Sequence, residues 1–325
     1  MEIFSRFFYL CSIQNLGGDM IYTLTTNPAI DMNISSNGFF PNKVNRTFNA
    51  VYTPNGKGLN VSFVLKHFGI PSKILGFFGG FSGQFIVNEA IRRDFELLPI
   101  WIDDITRINI FFNDGEKEYK LVNEGAFTPP HKQIALLNKL ENLNDLEFLS
   151  ISGSLPKGID NHYYEEILKI CVEKNTKIIL DISANNLKTL LNYKPYLIKP
   201  NDDEVREIFG IDIKDENDAV NALYKLNQLG AQNILLTLGE KGAYFFNGRQ
   251  IYYASAQPIK LVSSACAGDS ALAAFLSVWL KEPENITEAL KLSAATGANV
   301  AESNGIGDLT KVKEYKKNIT IKLIQ

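Results

Sequence analysis

The sequence predicts an α/β fold: a three-layer α/β/α core around a mostly parallel sheet, carrying a small β-sheet lid. Three observations predict it. From Ile21 onward, short β-like runs alternate with segments whose apolar residues recur at helical spacing, the pattern of a parallel sheet covered on both faces. Two segments, Asp31 to Tyr52 and Ile105 to Val122, break the alternation and read as short strands. The 325 residues are 45% apolar and 21% charged, enough to bury a large core without disulfides or metals.

Taken in order, "IYTLTT" is a first strand and Asp31 to Tyr52 the first part of the lid. "GLNVSFVLKHF", Gly58 to Phe68, is a helix that stops at Gly69. "SKILGFF" is a buried strand, followed by a helix from about Ser82 to Arg93. "ITRINIFFNDGEKEYKLV" then returns to the lid, with "NDGE" as a hairpin turn because Asn, Asp and Gly tolerate positive φ. The strand "EFLSIS", the helix "YYEEILKICVEK" and the strands "KIILDIS", "YLIKP" and "NILLTLG" follow. Two helices, Asp269–Leu280 and Ile286–Ala301, close the chain. No repeat, low-complexity tract or linker divides it, so residues 20–325 read as one domain with a lid from about 31–53 and 100–124.

A net charge of −3 offers no basic field for nucleic acid or a membrane surface. The longest apolar run, Ala271 to Leu280, is far short of the roughly 20 residues that span a bilayer. Cys11, Cys171 and Cys266 are too dispersed for a disulfide framework or zinc site, as are His67, His131 and His162; a reducing cytoplasm is expected. Residues 1–19 lack the basic start and small-residue cleavage site of a signal peptide. Gly17-Gly18-Asp19-Met20 can be encoded as GGA-GGT-GAT-ATG, a ribosome-binding site run into the frame. Met20 is therefore the expected start, and 1–19 a non-native extension.

Two stretches carry chemistry. In "SSACAGDSALAAFLSVWL" a lone carboxylate, Asp269, stands at the mouth of an apolar helix. Free amides and the positive dipole end of such a helix suit a transferring phosphoryl group, and a carboxylate there can take a proton from an attacking hydroxyl. The competing reading is an ordinary Asp N-cap. In "TPNGKGLNV" the small residues let a polar ligand approach the backbone, and Asn60 offers a donor and an acceptor to hydroxyls. Neither the Walker spacing nor the dinucleotide fingerprint is present, which leaves no case for a Rossmann dehydrogenase.

"TTNPAIDMNI", "NGKGLNV", "ISGSLPKG", "LIKPNDDEV", "LTLGEKGAYF" and "CAGDSALAAFL" occur in that order. Together, from Met20 to about Tyr315, they resemble the PfkB (ribokinase-like) carbohydrate kinases, in particular their 1-phosphofructokinase and tagatose-6-phosphate kinase branch. The resemblance implies an ATP- and Mg²⁺-dependent kinase of a sugar phosphate, with fructose 1-phosphate as the preferred acceptor and tagatose 6-phosphate as the alternative. It implies Asp269 as general base, with the amides of Cys266, Ala267, Gly268 and Asp269 around the phosphoryl group. Asp31, Gly56, Lys57, Asn60 and Ser154 would bind the sugar, and Arg46 and Arg107, with Lys43 a weaker candidate, its phosphate. Asn201, Glu204, Thr237, Gly239, Gly242 and Asn299 would line the nucleotide site, Glu204 holding Mg²⁺ through water and Asp181 standing behind. A homodimer through the lid is expected from its exposed strand edges. Two departures stand out: Asn55 and Cys266 occupy positions where the family has glycine. Cys266 is expected to crowd the anion site and lower activity, and the pair motivates a second reading, a non-catalytic sugar-phosphate or nucleotide sensor.

Overall fold

The computed structural model describes residues 20–183 and 185–325; the expectations for residues 1–19, Cys11 among them, lie outside the described residues. In chain order the elements are β1 (Ile21–Thr25), β2 (Ala29–Ser35), β3 (Phe48–Asn55), α1 (Lys57–His67), β4 (Ser72–Gly79), α2 (Gly80–Arg92), β5 (Glu96–Ile102), β6 (Arg107–Asn113), β7 (Glu118–Leu121) and α3 (Pro130–Glu141). They continue with β8 (Phe148–Ser152), α4 (His162–Glu173), β9 (Lys177–Asp181), α5 (Leu187–Leu190), β10 (Leu197–Ile198), α6 (Asp202–Phe209), α7 (Glu216–Gln228) and β11 (Ile234–Thr237). The last are β12 (Ala243–Phe246), β13 (Ile251–Ala254), α8 (Ala267–Trp279), α9 (Ile286–Ala301), α10 (Val312–Tyr315) and β14 (Ile321–Leu323).

The large sheet has the order β14-β13-β12-β11-β10-β9-β8-β1-β4-β5. From β11 to β5 every pairing is parallel, and β12, β13 and β14 add an antiparallel edge. That edge is unannounced in the sequence, because β14 reaches β13 only from the far end of the chain. The strands are apolar on both faces, as burial on both sides requires. Tyr22, Leu24 and Leu180 enter one core with Leu136, Ile167 and Leu223 of α3, α4 and α7. Ile21, Ile179 and Leu235 enter the other, with Val61, Phe275 and Leu290 of α1, α8 and α9.

The apolar run at the end of the chain is an interior helix. Phe275 of α8 packs 4.8 Å from Phe245, and Trp279 stacks on Tyr196 at 5.0 Å. Full burial of such a side chain contributes about 1.5–3 kcal/mol. No helix among the described residues is long and apolar enough to cross a membrane.

The lid is a second sheet of order β3-β2-β6-β7, with β2 and β6 parallel and both outer pairs antiparallel. The hairpin turn forms as the sequence predicts, Asp114 Oδ1 accepting from the amides of Glu116 and Lys117 and Gly115 at φ +96°. Its second segment starts later than residue 100: β5 keeps unbroken parallel register with β4 as far as Ile102, so the lid resumes at Arg107.

The "NGKGLN" turn is small mainly because α1 starts against β1. A Cβ on Gly58 would lie 2.5 Å from Thr25 Oγ1 and 2.7 Å from the Leu24 carbonyl oxygen. One on Gly56, itself at φ +149°, would lie 2.6 Å from Thr25 Cγ2. These glycines bring a lid strand, a helix N-terminus and a central strand to one point. Gly58→Ala is therefore expected to destabilise the fold by about 1–3 kcal/mol through overpacking, read as a lower urea midpoint at unchanged m-value.

Candidate active site

The carboxyl ends of the parallel strands gather the polar residues, as open α/β sheets generally do. Asp181 ends β9, Lys199 follows β10, Gly153 and Ser154 follow β8, and Thr237 ends β11. Facing them, α8 begins at Ala267, two residues before the predicted start, so Asp269 sits inside its first turn. The N-cap residue is Cys266, with no side-chain capping bond; the N-cap reading of Asp269 is thereby excluded. Ala267 N bonds only weakly to Ser264 O, at 3.4 Å, and the amides of Gly268 and Asp269 have no backbone acceptor among the described residues.

Asp269 is buried and its Oδ2 accepts from Asn60 Nδ2 at 2.9 Å. Asn60 Nδ2 also donates to Asn55 Oδ1 at 2.8 Å and approaches Cys266 Sγ at 3.3 Å. Asn55 Nδ2 in turn donates to Asp31 Oδ2, and Asn109 Nδ2 to Asp31 Oδ1 at 2.9 Å. Asp31 and Asn109 are register partners on β2 and β6. An unbroken line of hydrogen bonds thus joins the lid carboxylate Asp31 to the core carboxylate Asp269.

Behind Asp269 lies a charge cluster. The Asp181 carboxylate is fully enclosed; Lys199 Nζ lies 3.0 Å and Lys57 Nζ 3.8 Å from its Oδ1. Neither Asp181 oxygen makes a well-aligned hydrogen bond among the described residues, so charge rather than alignment holds it. Burial pushes its pKa up, but Lys199 and Lys57 outweigh burial and hold it below the usual carboxylate range. Lys57 is raised, chiefly by Asp181 and further by Asp269 and Glu204. A Cβ on Gly268 would lie 3.3 Å from Lys199 Nζ, so this ammonium sits beside the free amides of α8. Lys199 is the residue that sequence reasoning missed. Its signal was a lysine directly after the apolar run of "YLIKP", where a strand end buries its neighbour.

The other predicted residues divide into two groups. Asn201 and Glu204 form a capping box at the head of α6, and Glu204 Oε1 also accepts from Ser183 Oγ. Asn201 bridges to Thr237, and Gly239 and Gly242 bracket the tight turn after β11. Ser154 Oγ accepts from Asn27 Nδ2 at 3.3 Å, and Gly153 packs on Lys57. Of these, Glu204 acts through its charge on Lys57, beside Asn60 and Asp269. The second group is engaged elsewhere. Arg46 and Lys43 are exposed on the loop between β2 and β3, Lys43 Nζ lying over the Phe40 ring. Arg107 donates to the backbone carbonyls of Asn123 and Asn27, tying two lid connections together, while its buried Nε has no partner among the described residues. Asn299 Oδ1 accepts from Lys311 N at 2.8 Å, which fixes the chain after α9.

Cys266 adopts a left-handed backbone, φ +64°, a conformation that costs a non-glycine residue roughly 1–2 kcal/mol. Its sulfur is taken up by Asn60 and Asn55 on the lid side, Sγ donating to Asn55 Oδ1 at 3.9 Å. The expected crowding over the α8 amides does not arise from these contacts. Burial and the nearby Asp269 and Asp31 carboxylates push the thiol well above its ordinary pKa, so it stays neutral.

Burial pushes Asp269 up to about 6, with Asp181 adding to the rise and Lys57, Asn60 and Lys199 opposing it. Its folded pKa exceeds the unfolded value of about 4, so ionisation costs stability as pH rises between the two. Asp269→Asn is expected to stabilise the fold by about 1–3 kcal/mol above pH 6, where that cost is complete, and by nothing below about pH 4. Urea denaturation across pH 4–8 measures it.

Sequence and fold comparisons agree with this architecture. The pfkB family carbohydrate kinase model matches residues 23–312. A D-tagatose-1-phosphate kinase of Klebsiella oxytoca is 46% identical over 93% of this chain and 99% of its own length. A 1-phosphofructokinase of Bacillus subtilis is 33% identical over 89% and 94%. The structure of phosphofructokinase-2 from Escherichia coli in complex with potassium superposes at a TM-score of 0.84, with 23% identity over 92% of this chain and 98% of that one; it has the same fold. A ribokinase-like α/β fold is thus shared along almost the whole chain, which belongs to the pfkB family of carbohydrate kinases.

Proposed function

We propose that this kinase transfers the γ-phosphoryl group of ATP to the 6-hydroxyl of a ketohexose 1-phosphate, with fructose 1-phosphate going to fructose 1,6-bisphosphate. The observation that carries the reading is the buried Asp269 beside the free amides of α8. The acceptor O6–H loses its proton to the Asp269 carboxylate, an O6–P bond forms, and the bond from phosphorus to the leaving ADP oxygen breaks. The amides from Cys266 to Asp269 and the Lys199 ammonium would balance charge on the moving phosphoryl group. Asp31, Asn60 and Ser154 would hold the sugar hydroxyls, with Gly56 and Lys57 beneath them. Arg46 and Lys43 would meet the acceptor's phosphate as the lid closes and excludes water, with the Arg107 charge beside Asp31 adding to the field there.

Asn201, Glu204, Thr237, Gly239, Gly242 and the segment anchored by Asn299 would line the nucleotide. Among the described residues no three His, Cys, Asp or Glu side chains gather into a metal cage. The Glu204 carboxylate at the head of α6 suits a Mg²⁺ that keeps most of its water and would hold it through one of those waters. Bound there, the ion would neutralise phosphate charge. ATP chemistry in a reducing compartment supports a cytoplasmic location.

The Klebsiella relative's name supports a second acceptor, D-tagatose 1-phosphate, which offers the same 6-hydroxyl. Coupled ADP release over fructose 1-phosphate, tagatose 1-phosphate and tagatose 6-phosphate separates these readings, and binding without turnover would instead favour a sensor. Asp269→Asn is expected to lower kcat by roughly 10²–10⁴-fold. A loss under tenfold would remove Asp269 as the base. With the base titrating near 6, kcat/KM is expected to fall below that pH and to level off above it.

The lid exposes Phe48, Val51 and Tyr52 on edge strand β3 and Leu121 on edge strand β7, which supports pairing with a second lid. Light scattering is expected to give about twice 36.4 kDa, and Val51→Asp to shift the protein to monomer.

A further inference from the structure

We infer that Asn55 is a specificity-determining residue that, with Asp31, reads the configuration of one ring hydroxyl of the acceptor. The inference rests on the ketohexose-phosphate kinase reading and names which side chain chooses among its substrates. Asn55 is the last residue of β3 and is partly exposed. Its amide orientation is fixed by its surroundings: Oδ1 accepts from Gly56 N at 2.6 Å and from Asn60 Nδ2 at 2.8 Å. A flipped amide would turn its NH₂ group toward two other donors, so the NH₂ group must face Asp31, to which Nδ2 donates.

That bond uses one of the two N–H groups and leaves the other beside a carboxylate whose second oxygen is pinned by Asn109 at 2.9 Å. A fixed acceptor and a fixed donor therefore stand side by side. Only a hydroxyl can satisfy both, donating to Asp31 Oδ2 while accepting from Asn55 Nδ2. A ring hydroxyl of inverted configuration cannot reach the pair, and it leaves the remaining lone pair of Asp31 Oδ2 and the second N–H of Asn55 desolvated without a partner. Sites built to bond a substrate hydroxyl discriminate strongly for this reason. Cys266 Sγ and Asn60 close the far side of the Asn55 amide, so the reader cannot swing aside to admit the wrong epimer. A glycine at position 55 would leave Asp31 an acceptor only, which any nearby hydroxyl can satisfy.

The test compares kcat/KM for fructose 1-phosphate with its epimers at C3, C4 and C5, namely psicose, tagatose and sorbose 1-phosphates, in wild type, Asn55→Ala and Asn55→Ser. The expected result is that wild type separates the preferred acceptor from one epimer by tenfold or more. Each variant should narrow that one ratio at least fivefold, mainly through KM of the preferred acceptor, leaving the other ratios in place. If Asn55 only pegs the turn, all four acceptors lose activity alike and the ratios stay within fivefold of wild type, which overturns the inference. A wild-type spread below tenfold across all epimers overturns it without any variant, even if neither substitution folds. Wild-type turnover of none of the four sinks the ketohexose 1-phosphate reading and the inference with it, whereas turnover with unchanged ratios sinks only Asn55.

Discussion

A carboxylate stripped of water and set between two ammonium groups organises the catalytic end of this molecule. Asp181 can remain ionised where it lies only because Lys57 and Lys199 are beside it. The three groups come from the end of β9, the head of α1 and the residue after β10. Their mutual attraction therefore fixes how a helix N-terminus meets two strand ends. It also sets the field at Asp269, where burial works against ionisation while the ammonium groups work for it. The balance leaves that carboxylate poised near the pH at which a base is most useful. Removing either lysine would leave buried negative charge uncompensated and would disturb the head of α8 without touching it.

The core was legible because its signals are local. Alternating strand and helix periods located β1, β4, β8, β9 and β11 and the helices between them, and α9 spans the predicted Ile286–Ala301. The head of α8 was misplaced by two residues because Cys266 begins the helix from a left-handed backbone, a geometry that an L-residue's identity does not advertise. The edge strand β14 was missed because its partner β13 lies far from it in the chain. At the site, residue types singled out Asp269 and Asn60, and the family resemblance added Asp31, Lys57, Asn201 and Glu204; hydrogen bonds and charge link Asp31, Asn60, Asp269, Lys57 and Glu204 in the structure. Lys199 was overlooked because its importance comes from burial beside Asp181, which pairing of distant strands creates. Arg107 and Asn299 were given ligand roles by the family resemblance; in the structure each also holds backbone partners that fix nearby chain, which no sequence pattern announces.

The departures at Asn55 and Cys266, separated by 211 positions, are one feature in space. The sulfur sits against the amide, and both touch Asn60. Each alone looks like a flaw in a glycine turn. Together they form a packed polar wall, with the cysteine's backbone strain offset by contacts that a glycine could not make. Coupling between neighbours of this kind makes single substitutions poor guides to the pair.

The lid is strapped to the core by four connections: 26–28, Gly56, 103–106 and 122–129. All four leave the same edge of the small sheet or lie close to it, and Arg107 ties the first to the last. A plate held along one side by such short straps cannot slide or tumble; it swings like a door, with essentially one angle as its coordinate. At Gly56 that hinge is a single residue between the end of β3 and the first turn of α1. The angle of the door is thereby geared to the helix that carries Lys57 and Asn60, so the mechanical state of the lid and the chemical state of the floor beneath it are one variable.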